Sequence, residues 1–386
     1  MAYKKLTRNQ HFETAGPKRI LALDGGGIRG IVTLGYLKRV EDLLRERHDG
    51  AGGFRLAHYF DLMAGTSTGS IIAAGLALGM SVDELTDLYM RLGKEVFHRS
   101  SWRKGILRAR YSHIKLTEHL ERIFGKDTTL GGPSLQTGLL VMTKRMDTGS
   151  PWPLGNNPKG KYFRAKAGDT WIPNKDYPLW KVVRASSAAP SYFDPEKIMI
   201  SRKKGFKAVE GVFVDGGVSP FNNPTLQAFM YATLEGFRVG WETGADKLLI
   251  VSIGTGRGDP GKKPTWITAK GAMQSLLSLM DDAGALVETM AQWLSAGDTH
   301  REIDGEIGAL GNDFIGGAPQ FTYARYDLSL RRDVVDALKP GIANGTLESL
   351  TVMDEPKNMP LLKELADLDA LGKVDGKHFP AAFDLN

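Results

Sequence analysis

The chain contains no cysteine. That excludes disulfides, thiol nucleophiles and cysteine-held metals. It also lacks any run of about 18 apolar residues, so no segment reads as a membrane-spanning helix. The opening stretch, Met1-Ala2-Tyr3-Lys4-Lys5-Leu6-Thr7-Arg8-Asn9-Gln10, is basic but has no apolar centre, and a secretory signal is not expected. These absences fit a cytoplasmic protein. No H-E-x-x-H occurs, and the spacing of His113 and His119 does not put both on one helical face, so neither a metal nor a cofactor is expected. Neither a fixed-period repeat nor a low-complexity tract is present.

What remains is an ordinary globular composition, 42% hydrophobic and 24% charged over 386 residues. Such a length can bury one large α/β core or two smaller ones. The net charge of +6 and an isoelectric point of about 9.2 suit an anionic partner such as a phospholipid surface or a nucleotide. They equally suit a merely solvated basic surface.

Residues 1–17 read as a polar lead-in. Lys18 to Asp24 follows as a buried strand, Gly25 to Gly30 as a turn, and Ile31 to Arg47 as a helix with Leu34, Leu37, Val40 and Leu44 on one face. Gly50 to Gly53 ends that unit. Tyr59 to Ala64 is strand-like, and Ser70 to Leu78 helix-like. Two strand-helix units in succession imply a mostly parallel sheet covered by helices. Residues 83–124 read as helical with a basic interruption. Gly138 to Thr143, Val212 to Val214 and Lys247 to Ile253 are further strands, and the Pro-, Gly- and Asn-rich 147–178 reads as a long surface loop. One or two amphipathic helices are expected over 265–296, with Met273, Leu276, Leu277, Met280, Leu286, Met290 and Trp293 at helical spacings.

Between the second strand and its helix stands Gly65-Thr66-Ser67-Thr68-Gly69, a G-x-S-x-G turn. A sharp strand-to-helix turn lifts a serine hydroxyl out of the sheet beside a helix N-terminus, and its neighbours must be small. A serine nucleophile also needs a proton acceptor and donors for the oxyanion. The glycines of Asp24-Gly25-Gly26-Gly27-Ile28-Arg29-Gly30 leave backbone N–H groups uncovered at a helix start, and Arg29 could add positive charge. Gly25, Gly27 and Gly30 also fit G-x-G-x-x-G, but the acid expected after a second strand is missing. Asp49 sits in a turn after a helix, and the next strand leads to Ser67 instead.

None of the eight histidines (His11, His48, His58, His98, His113, His119, His300 and His378) ends an apolar strand before a glycine turn. A carboxylate does. Val212-Phe213-Val214-Asp215-Gly216-Gly217, followed by Asn222-Asn223-Pro224, delivers Asp215 to a strand end, where it could be a base or simply a loop cap.

The Asp24–Gly30 block, the Gly65–Gly69 block and Asp215-Gly216-Gly217, in that order, resemble the three signature blocks of the patatin-like phospholipases. Ala185-Ser186-Ser187-Ala188-Ala189-Pro190 resembles the small-residue helix that precedes the Asp block there. The resemblance covers at least residues 18–256. It implies a three-layer α/β sandwich with a catalytic core over 18–260 and a helical or mixed extension over 261–386, regulatory or self-associating. It further implies hydrolysis of lipid acyl esters by a Ser67–Asp215 dyad, with an oxyanion hole from Gly26 and Gly27, and Gly25 and Arg29 nearby. Ser70, where many members carry another glycine, is a small departure.

Arg99 to Tyr111 interleaves basic residues with Trp102, Ile106, Leu107 and Tyr111, as an anionic membrane interface or a solvated helix face would. The glycine blocks and Phe321-Thr322-Tyr323-Ala324-Arg325-Tyr326-Asp327 are similar to bacterial antiphage phospholipase effectors switched on by cyclic oligonucleotides. That similarity implies a cyclic di- or trinucleotide activator, held by Arg325 or the 99–111 cluster. It also implies work at the inner face of a membrane, with a homo-oligomer as one form. No nucleic acid polymer is expected. The competing reading is a nucleotide- or phosphate-binding protein that uses the glycine turns without hydrolysis.

Overall fold

The computed structural model describes residues 3–48, 53–96, 111, 113–202, 208–258, 268–311 and 313–385, without the side chains of 268–277. Among these residues nine strands form one sheet. They are β1 (Lys18–Leu23), β2 (Leu62–Thr66), β3 (Gly138–Arg145), β4 (Pro151–Gly155), β5 (Glu196–Ser201), β6 (Val209–Asp215), β7 (Leu248–Ile253), β8 (Ser295–Ala296) and β9 (Phe321–Tyr326). The order is β5-β6-β3-β2-β1-β7-β9-β8, with β4 paired to β3. From β3 to β8 the neighbours run parallel. β4 and β6 run antiparallel to β3, and β5 antiparallel to β6.

The helices are α1 (Arg8–Glu13), α2 (Gly30–His48), α3 (Leu56–Tyr59), α4 (Thr68–Ala77), α5 (Val82–Val96), α6 (His113–Phe124), α7 (Leu179–Ser186), α8 (Thr225–Thr233), α9 (Thr268–Leu294), α10 (Arg332–Leu338), α11 (Asn344–Leu350) and α12 (Met359–Lys373). Alternation along the strands divides the core in two. Leu21, Leu23, Met63, Leu139, Val141 and Leu249 face one layer with residues of α2, α4–α7 and α12. Ile20, Leu62, Leu140, Leu248, Ile250 and Tyr323 face the other, with Phe12 of α1, Ala228 of α8 and Ala291 of α9. The result is the three-layer sandwich expected, with a mixed and mostly parallel sheet.

β1 lies between β2 and β7, so the chain leaves it in opposite directions on its two sides. Leu23 pairs with Gly65 and with Ile253, and Ile253 with Tyr326. The carboxyl ends of four parallel strands therefore meet on one rim, the place where such sheets carry their sites. The chain beyond residue 261 contributes β8 and β9 to this sheet, and lays α12 along α2. Those two helices approach so closely that a Cβ at Gly35 would stand 2.6 Å from that of Ala366.

Three local expectations change. The strand expected from Tyr59 begins at Leu62, because Leu56–Tyr59 forms a helical turn and Asp61 is drawn to Arg19. Within the loop expected over 147–178, Pro151–Gly155 forms β4. Its two prolines are tolerated because β4 pairs with β3 alone and is an edge. Strands β5 and β8 had no expected counterpart. Of the one or two helices expected over 265–296, one forms, α9. Asp49 to Gly52, His98 and the basic residues of 99–110 lie outside the described residues. Tyr111 is buried and donates to Asp354 Oδ2 at 2.7 Å. No helix among the described residues is long and apolar enough to cross a membrane.

Candidate active site

Ser67 joins β2 to α4 with φ 52° and ψ −122°, a conformation that costs a side-chain-bearing residue about 1–3 kcal/mol. The tight reversal presses Gly69 against β1, where a Cβ would stand 2.2 Å from the Leu23 carbonyl oxygen; one at Gly65 would stand 2.3 Å from that of Gly69. Several bonds hold the strained residue. Its N–H donates to Ser186 Oγ at 2.9 Å, and that hydroxyl donates to the Met142 carbonyl at 2.6 Å. Its own carbonyl accepts from the Ser70 hydroxyl at 2.6 Å and from the Ser70 N–H at 2.9 Å.

Asp215 reaches this serine from an unexpected direction. β6 is antiparallel to β3, and Asp215 pairs with Thr143, one residue past the Met142–Thr66 pair. Its strand therefore runs head-on toward the end of β2 instead of ending alongside it. Ser67 Oγ donates to Asp215 Oδ2 at 2.6 Å, while Oδ1 accepts the Gly217 N–H at 2.7 Å. Burial pushes the Asp215 carboxyl up to about 6; the Ser67 hydroxyl, the Gly217 amide and the charge of Arg184 pull it back. The carboxyl is ionised at neutral pH and accepts a proton more readily than an ordinary aspartate.

The glycine turn faces the same space. Gly25 does not serve as expected, because its N–H is engaged by the Asn222 carbonyl at 3.2 Å. The Gly25 carbonyl accepts from Thr255 Oγ1 at 3.2 Å and Asn222 Nδ2 at 3.3 Å. Ile28 N–H donates to the Met353 carbonyl at 2.9 Å, and the Tyr89 hydroxyl donates to the Gly27 carbonyl. Among the described residues the N–H groups of Gly26 and Gly27 have no acceptor. Gly27 adopts φ +59°, which turns successive amides toward one side. Arg29 stands a step back. Its side chain is buried and does not line the cavity; burial lowers its pKa, while Asp281 and Asp327 oppose that shift.

Ser67, Asp215, Gly26 and Gly27 form the polar end of a cavity. Its walls are apolar, with Ile71, Leu92, Leu116, Phe193, Met280 and Met353 among them. A carbonyl at the polar end would meet a hydroxyl, a carboxylate and two unengaged amides, and an aliphatic chain would fill the rest. Among the described residues no group of three or more His, Asp and Glu side chains could hold a metal ion. Arg325 does not face a ligand space as expected. Its side chain is only 7% exposed, and both terminal nitrogens are taken by Asp24 in a bidentate pair, so they are not free for a nucleotide. Sequence reasoning missed Asn222, Thr255 and Met353 as supports, although Asn222 belongs to the run noted after the Asp215 turn.

The patatin family, described as patatin-like phospholipase, matches residues 21–229, more than half of the chain. A cGAMP-activated phospholipase of Vibrio cholerae serotype O1 is 30% identical over 54% of this chain and 56% of its own. Another of that name from Escherichia coli is 27% identical over 65% of this chain and 66% of its own. An Arabidopsis thaliana protein named probable inactive patatin-like protein 9 is 28% identical over 66% of this chain and 65% of its own. The matches thus cover less than two thirds of the relatives' lengths.

Proposed function

The chain belongs to the patatin-like phospholipase family, and from that premise we propose that it hydrolyses fatty-acyl esters of membrane phospholipids with Ser67 as nucleophile and Asp215 as base. One observation carries the reading: the 2.6 Å hydrogen bond from Ser67 Oγ to Asp215 Oδ2 at the polar end of an apolar cavity.

The chemistry is acyl transfer. Ser67 Oγ attacks the ester carbonyl as its proton passes to Asp215 Oδ2. The carbonyl oxygen, now negative, is held by the N–H groups of Gly26 and Gly27. Collapse expels the lysolipid oxygen, which takes the proton from Asp215. Water then attacks the acyl-serine, gives its proton to Asp215, and the fatty acid leaves as Ser67 is reprotonated. Ser67→Ala should lower fatty-acid release from phospholipid vesicles by about 10³-fold or more. Equal release by the two proteins would overturn the serine mechanism.

Two bacterial relatives are named cGAMP-activated phospholipases, which supports a cyclic di- or trinucleotide as activator and a role in antiphage defence at the inner face of the membrane. In this reading the chain beyond residue 261 is the regulatory or self-associating part. Release measured with a panel of cyclic di- and trinucleotides should rise with at least one member. A flat response in both rate and thermal midpoint would remove the activation reading and leave the hydrolase intact.

A further inference from the structure

The two glycines of this turn that face the cavity, Gly26 and Gly27, have no side chains to fix them, and the turn is held from outside. Asp24, immediately before Gly25, is a charged anchor at its entry. Arg325 of β9 reaches across β7, where Ser252 lies opposite it in register, to grip Asp24 just past the end of β1. Its Nη1 donates to Asp24 Oδ1 at 3.0 Å and to Ser252 Oγ at 2.7 Å, and its Nη2 donates to Asp24 Oδ2 at 2.6 Å. The fork fixes the plane of the carboxylate as well as its distance.

The guanidinium is itself fixed. Arg325 Nη2 lies 3.2 Å from Asp327 Oδ2, which also takes Arg257 Nε at 2.8 Å, while Asp327 Oδ1 accepts the Gly256 N–H at 2.8 Å. Arg257 continues to Glu288 of α9, whose carboxylate also takes Arg301 Nε at 2.9 Å. Asp24 and Glu288 are buried, and the side chains of Arg325 and Asp327 are only 7% and 10% exposed. A buried ladder of charges thus runs from α9 to the residue that begins the glycine turn, and α9 also supplies Met280 to the cavity wall.

We propose that Arg325 is a positioning residue for hydrolysis: by clamping Asp24 it sets the direction of the Gly26 and Gly27 N–H groups, and so governs how well the oxyanion is held. The inference rests on the serine mechanism proposed above. It follows from where the other contacts act. Asn222, Thr255, Tyr89 and Met353 hold the turn at Gly25, the Gly27 carbonyl and Ile28, and at its entry the Asp24 N–H donates to the Ile253 carbonyl at 3.1 Å, so the Arg325 clamp is the side-chain tie that adds to this backbone bond where the turn leaves β1. An error of about 1 Å in a catalytic group costs about 10²-fold in rate.

The test compares wild type with Arg325→Lys, which keeps the charge but cannot fork, and with Asp24→Asn, which keeps the shape of the acid. Each is assayed for kcat and KM on a short-chain phospholipid, for affinity toward a fatty trifluoromethyl ketone, and for its thermal midpoint. The ketone adds to Ser67 as a tetrahedral adduct whose oxygen is negative, so it reports the oxyanion site directly. At least one variant folded at the assay temperature should lose about 10- to 100-fold in kcat with KM within about threefold. Its ketone affinity should fall in step with kcat/KM. Folded variants that keep kcat and ketone affinity within threefold overturn the proposal, as does a parallel loss of kcat and KM affinity without selective loss of the ketone. Wild-type hydrolysis that survives Ser67→Ala would sink the serine mechanism instead, a separate result.

Discussion

Asp24 and Asp215 each follow or end a strand of one sheet, each is buried, and burial pushes each carboxyl upward. Their partners differ. Asp24 gives both oxygens to the Arg325 fork, whereas Asp215 has an amide on one oxygen, a serine hydroxyl on the other and, among the described residues, no ion pair. An acid clamped by a guanidinium on both oxygens cannot accept a proton without breaking the clamp. An acid facing a hydroxyl can. Similar burial therefore serves opposite ends, one carboxylate holding backbone in place and the other ready for proton transfer.

Replacing each acid should separate these roles most strongly. Asp215→Asn keeps the acceptor for Gly217 but removes the base, and kcat should fall by about 10³-fold. Its stability should rise. The folded carboxyl titrates at about 6, above its ordinary value, so the folded state binds the proton more tightly than the unfolded chain. That contribution is full below the unfolded pKa and is lost as pH rises through 6, which leaves an ionised buried acid at neutral pH. Removing it should stabilise by about 1–3 kcal/mol at pH 7. Asp24→Ala should do the reverse, with a loss of about 3 kcal/mol as Arg325 loses its fork. Denaturant unfolding of both variants checks the signs. Shifts in the same direction would break the contrast.

A smaller effect concerns pH. Only ionised Asp215 can act as base, so kcat/KM should fall about tenfold per unit below pH 6, with the chain folded throughout by circular dichroism. An ordinary aspartate would place that limb near 4. Asp24→Asn should lower the plateau and leave the limb where it is. A limb that disappears in Asp24→Asn would transfer the titration to Asp24.

How legible this was in the sequence follows sequence distance. The Ser67 turn and the glycine turn are local, and their chemistry is written in adjacent residues. The apolar runs Ile20–Leu23 and Leu248–Val251 point to buried strands in the same way, though not to the face each residue takes. Strand direction is different, since nothing in Val209–Asp215 says that β6 runs against β3. The engaged amide of Gly25 depends on Asn222, and the clamp on Asp24 depends on an arginine more than three hundred residues away. Read locally, Arg325 is an exposed-type cation in a strand and, like the 99–111 cluster, an expected ligand contact. The fold turned it inward because β9 lies beside β7, and one strand separates it from an acid.

The smallest expected effect tests whether the serine turn, like the glycine turn, needs a side-chain tie. Ser70 is buried, and its hydroxyl donates to the Ser67 carbonyl at 2.6 Å. That carbonyl also accepts the backbone N–H of Ser70 at 2.9 Å and of Ile71 at 3.4 Å, both built into the start of α4. Ser67 is held further by Ser186, and sterically by the contact of Gly69 with β1. Ser70→Gly should therefore cost about 1 kcal/mol in stability for the lost hydrogen bond. Its kcat should stay within about threefold of wild type, because the backbone still fixes the nucleophile. A tenfold loss in kcat at unchanged KM would mean that both turns depend on a side chain brought from outside the motif, and the difference between them would be one of degree.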